Sequence, residues 1–416
     1  MANSENKTDV IVLGAGIVGV SAGLAARQRG LSVVVVDRRE PGSETSYGNA
    51  GILSSGSIFP LNQPTLLGKL PQYLTNRHAA LRWSPTWALR NPGWIARFLA
   101  NAAASQTRPR ALALRGLINA SLRLHRDWIV KAGAPERIRE TGWLKAWRSD
   151  NRAAARADQD ALTDYGIKSE LLDRQAISAL EPNILPVYSV GLLHSETASV
   201  DSPGNVVKAY ARMLAGGGGE VRRAEIRSIV SDGSGWRVVL SDGEVRAHHV
   251  VVALGPWSAD LLRPLGYRVP LATERGYHRE FKPNPSRQLL RPIHDAENAF
   301  LMTPMENGIR VTSGVELTAR DAPSNFSQID AVEPLARGVA EFGEQVGETW
   351  RGARPTLPDS LPMIGPATRH RNLWLAFGNQ HIGFTTGPAT GQAIAAMISG
   401  APPPFDVAAF APSRYI

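Results

Sequence analysis

A set of spaced glycines between two short apolar runs constrains this chain more than any other feature. Residues 9–13, DVIVL, and 33–37, VVVVD, are continuous and β-branched, the pattern of parallel strands buried on both faces. Between them GIVGVSAGLAARQRG is rich in Ala and Leu and stops at Gly30, as a helix closed by glycine does. The junction reads GAGIVG, a G-x-G-x-x-G directly after a strand and at the mouth of a helix. Gly14 permits the tight turn, Gly16 lets the backbone approach a pyrophosphate, and Gly19 lets helix and strand pack closely. Ile17 and Val18 open the helix, whose N-terminus faces the phosphates. Asp37 ends the second strand, where a carboxylate accepts hydrogen bonds from ribose hydroxyls. The chain is therefore expected to hold a dinucleotide on a βαβ unit.

Both FAD and NAD use this fingerprint, and the next stretch separates them. After Asp37 comes RREPGSETSYGNAG. Either Arg38 or Arg39 covers the adenine or its ribose, and Thr45 and Ser46 are placed to hydrogen-bond phosphates. An NAD fold would proceed to its next strand and helix. Here residues 48–60, GNAGILSSGSIFP, run on with small side chains, which let a backbone come very close to a ligand. Such a run, holding Asn49, Ala50, Gly51, Ile52 and Leu53, fits a backbone lying along a flat tricyclic ring, which favours FAD.

With 416 residues, the chain is too long for one ordinary core and should form two domains. Apolar content of 43% and charged content of 20% suit a globular protein, and no apolar run is long enough to span a bilayer. The start, MANSENKTDV, lacks the basic-then-apolar pattern of a secretory signal, so a cytoplasmic location is expected. With no cysteine there is no disulfide, thiolate metal site or thioether link to a cofactor, and a non-covalent flavin is expected. His248 and His249, the only close histidine pair, alternate across a strand, and no metal site is expected.

The net charge of +9 is concentrated: residues 77–152 carry a balance of +11 and six of the ten tryptophans. Residues 83–100, WSPTWALRNPGWIARFLA, suit either a peripheral contact with a membrane surface or a local core beneath a solvated basic face. No nucleic-acid module accompanies the charge. Residues 83–130 read as helical with breaks at Pro85, Pro92 and Pro109. Residues 143–147 and 189–194 read as strands, and a helix is expected after a cap at Ser202. Alternation over 266–315 points to an antiparallel sheet, and NLWLAFG and GPATGQAIAAMISG to a final strand and helix.

Four segments together resemble the FAD-dependent D-amino-acid oxidase superfamily, nearest its bacterial D-amino-acid dehydrogenase branch, with glycine oxidase and sarcosine oxidase as cousins. They are VIVLGAGIVGVSAGLAARQRGLSVVVVDRR, TSYGNAGILS, VVVALGPWSADLL and GARPTLPDSLPMIGPATRHRNLWLAFGNQHIGFTTGPATGQ, in the family's order. The resemblance implies an α/β fold: a Rossmann-like FAD-binding domain of the glutathione-reductase type (1–60, 200–262 and 350–416) and an α+β substrate domain on a mainly antiparallel sheet (61–199 and 263–349). It implies Ile226 at the adenine, and Ala253, Gly255 and Trp257 along the nucleotide. Asn379, Gln380, His381, Ile382, Gly383, Phe384 and Thr385 would meet the pyrimidine end of the flavin. Arg354 would bind the substrate carboxylate through its planar fork. Tyr277 or His278 would bond the carboxylate or close the pocket, unless the two simply alternate across a strand. His381 either faces the substrate over the ring or is structural. The implied reaction is oxidative deamination of a small amino acid, foremost a D-amino acid, by hydride transfer from Cα to flavin N5. The alternatives are sarcosine, glycine, a cyclic amino acid such as hydroxyproline, a 2-hydroxy acid, or a flavin-bound protein without turnover. A quinone or other respiratory acceptor, and a peripheral position on the inner face of the cytoplasmic membrane through residues 83–100, complete what the resemblance implies.

Overall fold

The computed structural model describes residues 7–233 and 235–416; the polar start of the chain before Lys7, and Ser234 in the SDGSG turn, lie outside the described residues. The apolar runs pair as their composition demands. Lys7–Leu13 lies parallel to Val33–Asp37 on one side and to Gly243–Val252 on the other, and Glu220–Arg223 extends the sheet beyond Val33–Asp37. Leu373–Phe377 joins Gly243–Val252 in parallel, while Gly235–Leu240 and Ile226–Asp232 continue from it as an antiparallel meander. Val10 and Val12 pack into a core shared with the helices Ile17–Arg27 and Gly383–Ile398, and Ile11 and Leu13 into a second core with Trp236, Leu262 and Tyr267. All four are fully buried, which is why the strand reads as an unbroken apolar run.

A second sheet of ten strands is mainly antiparallel. Its order runs Leu81–Trp83, Val315–Leu317, Ala272–Pro283, Gly308–Thr312, Phe300–Met305, Ile293–Asp295, Trp143–Trp147, Val190–His194, Glu170–Asp173, and Phe342–Thr356 pairs along Ala272–Pro283. One face carries Leu144, Tyr277, Ile293, Met302 and Val311, packed under the helix Ser327–Arg337. The opposite face looks toward the first sheet. A small three-stranded sheet of Ile52–Leu53, Ala198–Val200 and Ile138–Arg139 seats the segment after Gly51.

Three local expectations change. The helix Ala104–Lys131 runs through Pro109 instead of breaking there. The proline sits near the helix start, and the carbonyl it leaves without a donor, on Ser105, belongs to an exposed residue that water can serve. Ser202 makes no capping hydrogen bond; the helix Pro203–Gly216 opens on Pro203, whose fixed φ suits the first helical position. In the basic window Trp87 and Trp94 turn inward, edge to face at 5.7 Å, with Phe98 stacked on Trp94 at 5.0 Å and Ala272 beneath. Those two indoles are 9% and 8% exposed, so they form a local core and do not supply aromatic anchors for a membrane. Among the described residues no helix is long and apolar enough to cross a membrane.

Candidate functional site

A cavity of about 680 Å³ lies at the carboxyl ends of the parallel strands, roofed by the inner face of the second sheet. Its floor is the glycine turn. Gly14 has φ +108°, and a Cβ there would stand 2.4 Å from the Ala253 carbonyl oxygen; a Cβ on Gly19 would stand 1.8 Å from the Gly14 oxygen. No side chain fits either position, so the backbone itself forms the wall, with Gly16, Ile17 and Val18 lining it. Asp37 accepts from the Ala15 amide at 2.7 Å and the Arg39 amide at 3.0 Å, which fixes its carboxylate at the cavity edge. Ser46 Oγ accepts from the Ile17 amide at 3.0 Å, and Thr45 Oγ1 donates to the Ala353 carbonyl at 2.9 Å.

Of the two arginines after Asp37, Arg38 lines the cavity, with its guanidinium 4.6 Å over the Trp257 ring. Arg39 does not line it; both guanidiniums pair with Glu44, at 3.2 Å from Arg38 and 3.0 Å from Arg39. Ile226, Ala253 and Gly255 line the cavity with Trp257. Asn49, Ala50 and Ile52 line it too, but their neighbours do not: Gly51, at φ +73°, turns the backbone beside Val200, and Leu53 is buried in the core. All of Asn379–Thr385 reach the cavity. The helix Gly383–Ile398 starts here with no acidic residue in its first turn, so its N-terminal dipole would favour an electron-rich ligand. The loop before it is strained: Gln380 and Ser360 hold φ of +51° and +61°. Ser360 donates to buried Asn62 at 2.9 Å, and Gln380 donates to the Ser360 carbonyl. Left-handed backbone at non-glycine residues costs about 1–2 kcal/mol each and persists where surrounding structure enforces it.

The second sheet supplies the cationic wall. Glu274 stands opposite Arg354, Gly276 opposite Gly352, and His278 opposite Trp350. Directly paired residues share a face, so Arg354 reaches over Gly276, its Nη2 2.5 Å from where a Cβ would be. Arg354 has no hydrogen bond or ion-pair partner among the described residues; the nearest opposing charge is Glu274, whose field partly offsets the depression of the Arg354 pKa by burial. His381 faces the same space. Burial, and after it the Arg354 charge, holds its pKa down to about 4, so the imidazole is neutral at physiological pH.

Two candidates fall elsewhere. Tyr277 is on the opposite face of its strand, where its hydroxyl donates to Glu316 at 2.7 Å and accepts from the Asn325 amide at 3.1 Å. Strand alternation sends it into the outer core, away from the cavity. His278 does point inward but stops behind Trp350, stacked on that indole at 4.8 Å. Trp350, not His278, lines the cavity; its ring lies across Gly48 and Gly352, where Cβ atoms would come within 1.9 and 2.0 Å of it. Sequence reasoning also missed Trp143, His294, Leu301, Thr312 and Ser313, which line the same end. They come from four separate segments and share no motif; only the register of the second sheet brings them together.

The residues present fit FAD. A glycine turn with no room for side chains, a helix N-terminus and Asp37 suit a ribose and pyrophosphate; Ile226 and Trp257 suit an adenine; the 49–52 backbone and the helix at Gly383 suit a flat ring with an anionic end.

Comparison with known proteins agrees. The family described as FAD dependent oxidoreductase (DAO) matches residues 9–397. The chain is 31% identical to a D-amino-acid oxidase of Bradyrhizobium diazoefficiens, over 98% of this chain and 99% of that protein. It is 30% identical to a D-amino acid dehydrogenase of Rhizobium johnstonii, again over 98% and 99%. Its fold is similar to glycine oxidase from Geobacillus kaustophilus (TM-score 0.75, 20% identity, 99% of both chains) and to L-amino acid deaminase from Proteus myxofaciens (TM-score 0.73, 17% identity, 100% of this chain and 95% of that one). With a family match across most of its length and a cavity built for the dinucleotide, the chain belongs to the FAD-dependent oxidoreductases of the DAO family, flavoenzymes that oxidise amino acids at a CH–NH2 group, and FAD is its cofactor.

Proposed function

We propose that the protein oxidatively deaminates a D-amino acid. The observation that carries this reading is Arg354: a guanidinium without a hydrogen-bond partner among the described residues, on the wall of a flavin-sized cavity and answered at a distance by Glu274. A planar fork left open in this way is shaped for a carboxylate, which it binds through two parallel hydrogen bonds. Gly276 leaves the space the fork occupies. His381, being neutral, adds no charge beside the Arg354 cation, so the carboxylate is drawn to one place and orientation. Bound FAD supplies the acceptor for the hydride lost from Cα. No residue has to act as a strong base, because the substrate's own amine lone pair drives the loss; the protein's work is positioning and exclusion of water. The imino acid that results is hydrolysed by water to a keto acid and ammonia.

The two full-length relatives, both named for D-amino acids, support the choice of that enantiomer. We assign the first sheet to a flavin lobe of the glutathione-reductase type (1–60, 200–262 and 350–416), and residues 61–199 and 263–349 to a substrate lobe, whose helix Ala104–Lys131 packs into the core beneath that sheet. The strand Phe342–Thr356 carries Arg354 along the second sheet. The experiment is anaerobic reduction of the purified yellow protein by D- and L-amino acids, N-methyl and cyclic amino acids, and 2-hydroxy acids. Bleaching by D-amino acids is expected; bleaching by hydroxy acids alone, or by nothing in the panel, overturns the reading.

A further inference from the structure

We infer that the cavity wall built from the strands around His294 recognises the far end of a long, uncharged, hydrogen-bonding substrate side chain. The inference rests on the reading that Arg354 holds the carboxylate. Across the inner face of the second sheet one row stands in register: Trp350, His278, Thr312, Leu301, His294 and Lys145. Thr312, Leu301 and His294 line the cavity, joined by Trp143 and by Ser54 and Ser57 from the segment after the flavin loop.

Among the described residues His294 has no hydrogen-bond partner, although it stands in the cavity wall. Burial, and then the Lys145 charge, lowers its pKa to about 4, so at neutral pH the ring offers one N–H donor and one nitrogen acceptor. Lys145 itself does not reach the cavity, because Asp158 holds its ammonium at 2.5 Å. Among the described residues, the lining around His294 (Trp143, Leu301, Thr312, Ser54 and Ser57) holds no ionised side chain, and a charged substrate group would lose its hydration here without gaining a counter-ion. An apolar end would leave His294 unpaired, whereas a carboxamide satisfies both ring nitrogens and the serine hydroxyls.

The wall is also fixed in place. Trp143 stacks at 4.4 Å on His194, which packs in turn so tightly against Gly56 that a Cβ there would meet it at 3.0 Å. Reach sets the length of the substrate. Four strand intervals of about 4.8 Å separate the strand of Arg354 from that of His294. Arg354 covers the first interval by lying over Gly276, and the three that remain, about 14 Å, are beyond a methyl side chain.

The test is turnover of the holoenzyme with an artificial electron acceptor, beside anaerobic flavin reduction, with amino acids of the hand it accepts: glutamine, norleucine, glutamate, lysine and alanine. Glutamine is expected to have a kcat/KM about 10-fold above norleucine, glutamate and lysine. His294→Leu is expected to lower the glutamine-to-alanine ratio of kcat/KM about 10-fold with flavin absorbance retained, and His294→Asn to restore part of it. If His294→Leu does not retain flavin, the ratio is read on His294→Asn and Trp143→Phe. Norleucine or a charged analogue matching glutamine overturns the assignment, as does an unchanged ratio in every variant. Reduction by alanine without a preference for glutamine overturns this inference alone; no reduction by any amino acid of either hand overturns the deamination reading beneath it.

Discussion

Arg354 carries a charge that the folded protein does not neutralise by contact, and a partly buried cation without a partner is tolerated where a ligand completes it. Arg354→Ala should therefore lower kcat/KM by about 3 kcal/mol, roughly 100-fold, since hydrogen bonds to charged groups lie at the strong end of the scale. Arg354→Lys keeps the charge but loses the fork and should fall between the two. Steady-state kinetics on protein with unchanged flavin absorbance checks both; wild-type kinetics in Arg354→Ala removes the residue from the site. Arg354 was legible in the sequence only through the motif around it, because arginines are common and most pair at the surface. The glycines of GAGIVG and Asp37 were legible because their geometry is local: strand, turn and helix are contiguous. The choice between Tyr277 and His278 was not. Alternation shows that the two point to opposite faces, but which face meets the ligand depends on the helix Ser327–Arg337, which covers one of them from fifty residues away.

Strands and loops decide what those residues can do, and the strand Gly308–Thr312 shows how. From it buried Arg310 reaches across to the flavin segment, donating to the carbonyls of Tyr47 at 2.8 Å and of Asn49, while its other nitrogens pair with Glu280 on the neighbouring strand. One side chain thus ties the second sheet to the loop that lines the flavin cavity. Arg310→Leu should cost about 3 kcal/mol in stability, because it leaves Glu280 without its cation, and should also loosen the loop. The expected readouts are a lowered melting temperature and flavin lost on gel filtration. Adding Glu280→Leu should recover melting temperature but not flavin retention, since the Tyr47 and Asn49 carbonyls stay unanswered. A single variant that keeps both properties shows that the loop is held by other means. Nothing in the sequence marked Arg310, for the same reason that Trp350, Trp143 and His294 went unnoticed. Each acts through strand register, which brings together segments from about thirty to a hundred and fifty residues apart, and local patterning does not encode that pairing.

Over the whole molecule the buried histidines form a common liability to acid. His125 is fully buried among three helices, with Nε2 donating to the Phe384 carbonyl at 2.8 Å and Nδ1 accepting from Tyr210 at 3.0 Å, and burial lowers its pKa to about 4. His194 is 5% exposed and is lowered by burial, Lys145 and His294 to about 3. His294 and His381 are each lowered to about 4, and burial takes His278 well below its ordinary value. A histidine depressed in the folded state stays neutral there while the unfolded chain, with its pKa near 6.5, takes up a proton. Stability is therefore unaffected above about pH 6.5 and falls as pH drops from there toward the folded values. Each group contributes up to about 1.4 kcal/mol per pH unit within that window. Counting only His125 and His194, whose burial is complete or nearly so, gives about 2.7 kcal/mol per unit. The cavity-facing rings add less, because solvent or ligand reaches them. Calorimetric unfolding of the holoenzyme at pH 5.5, in buffers of different ionisation heat, should show uptake of between about two and four protons, and close to none from histidines at pH 8. His125→Gln should remove nearly one proton from that uptake while keeping a donor toward Phe384. Uptake below one proton at pH 5.5 would mean that these rings are already charged in the folded protein, and the neutral wall on which the substrate inference depends would go with them.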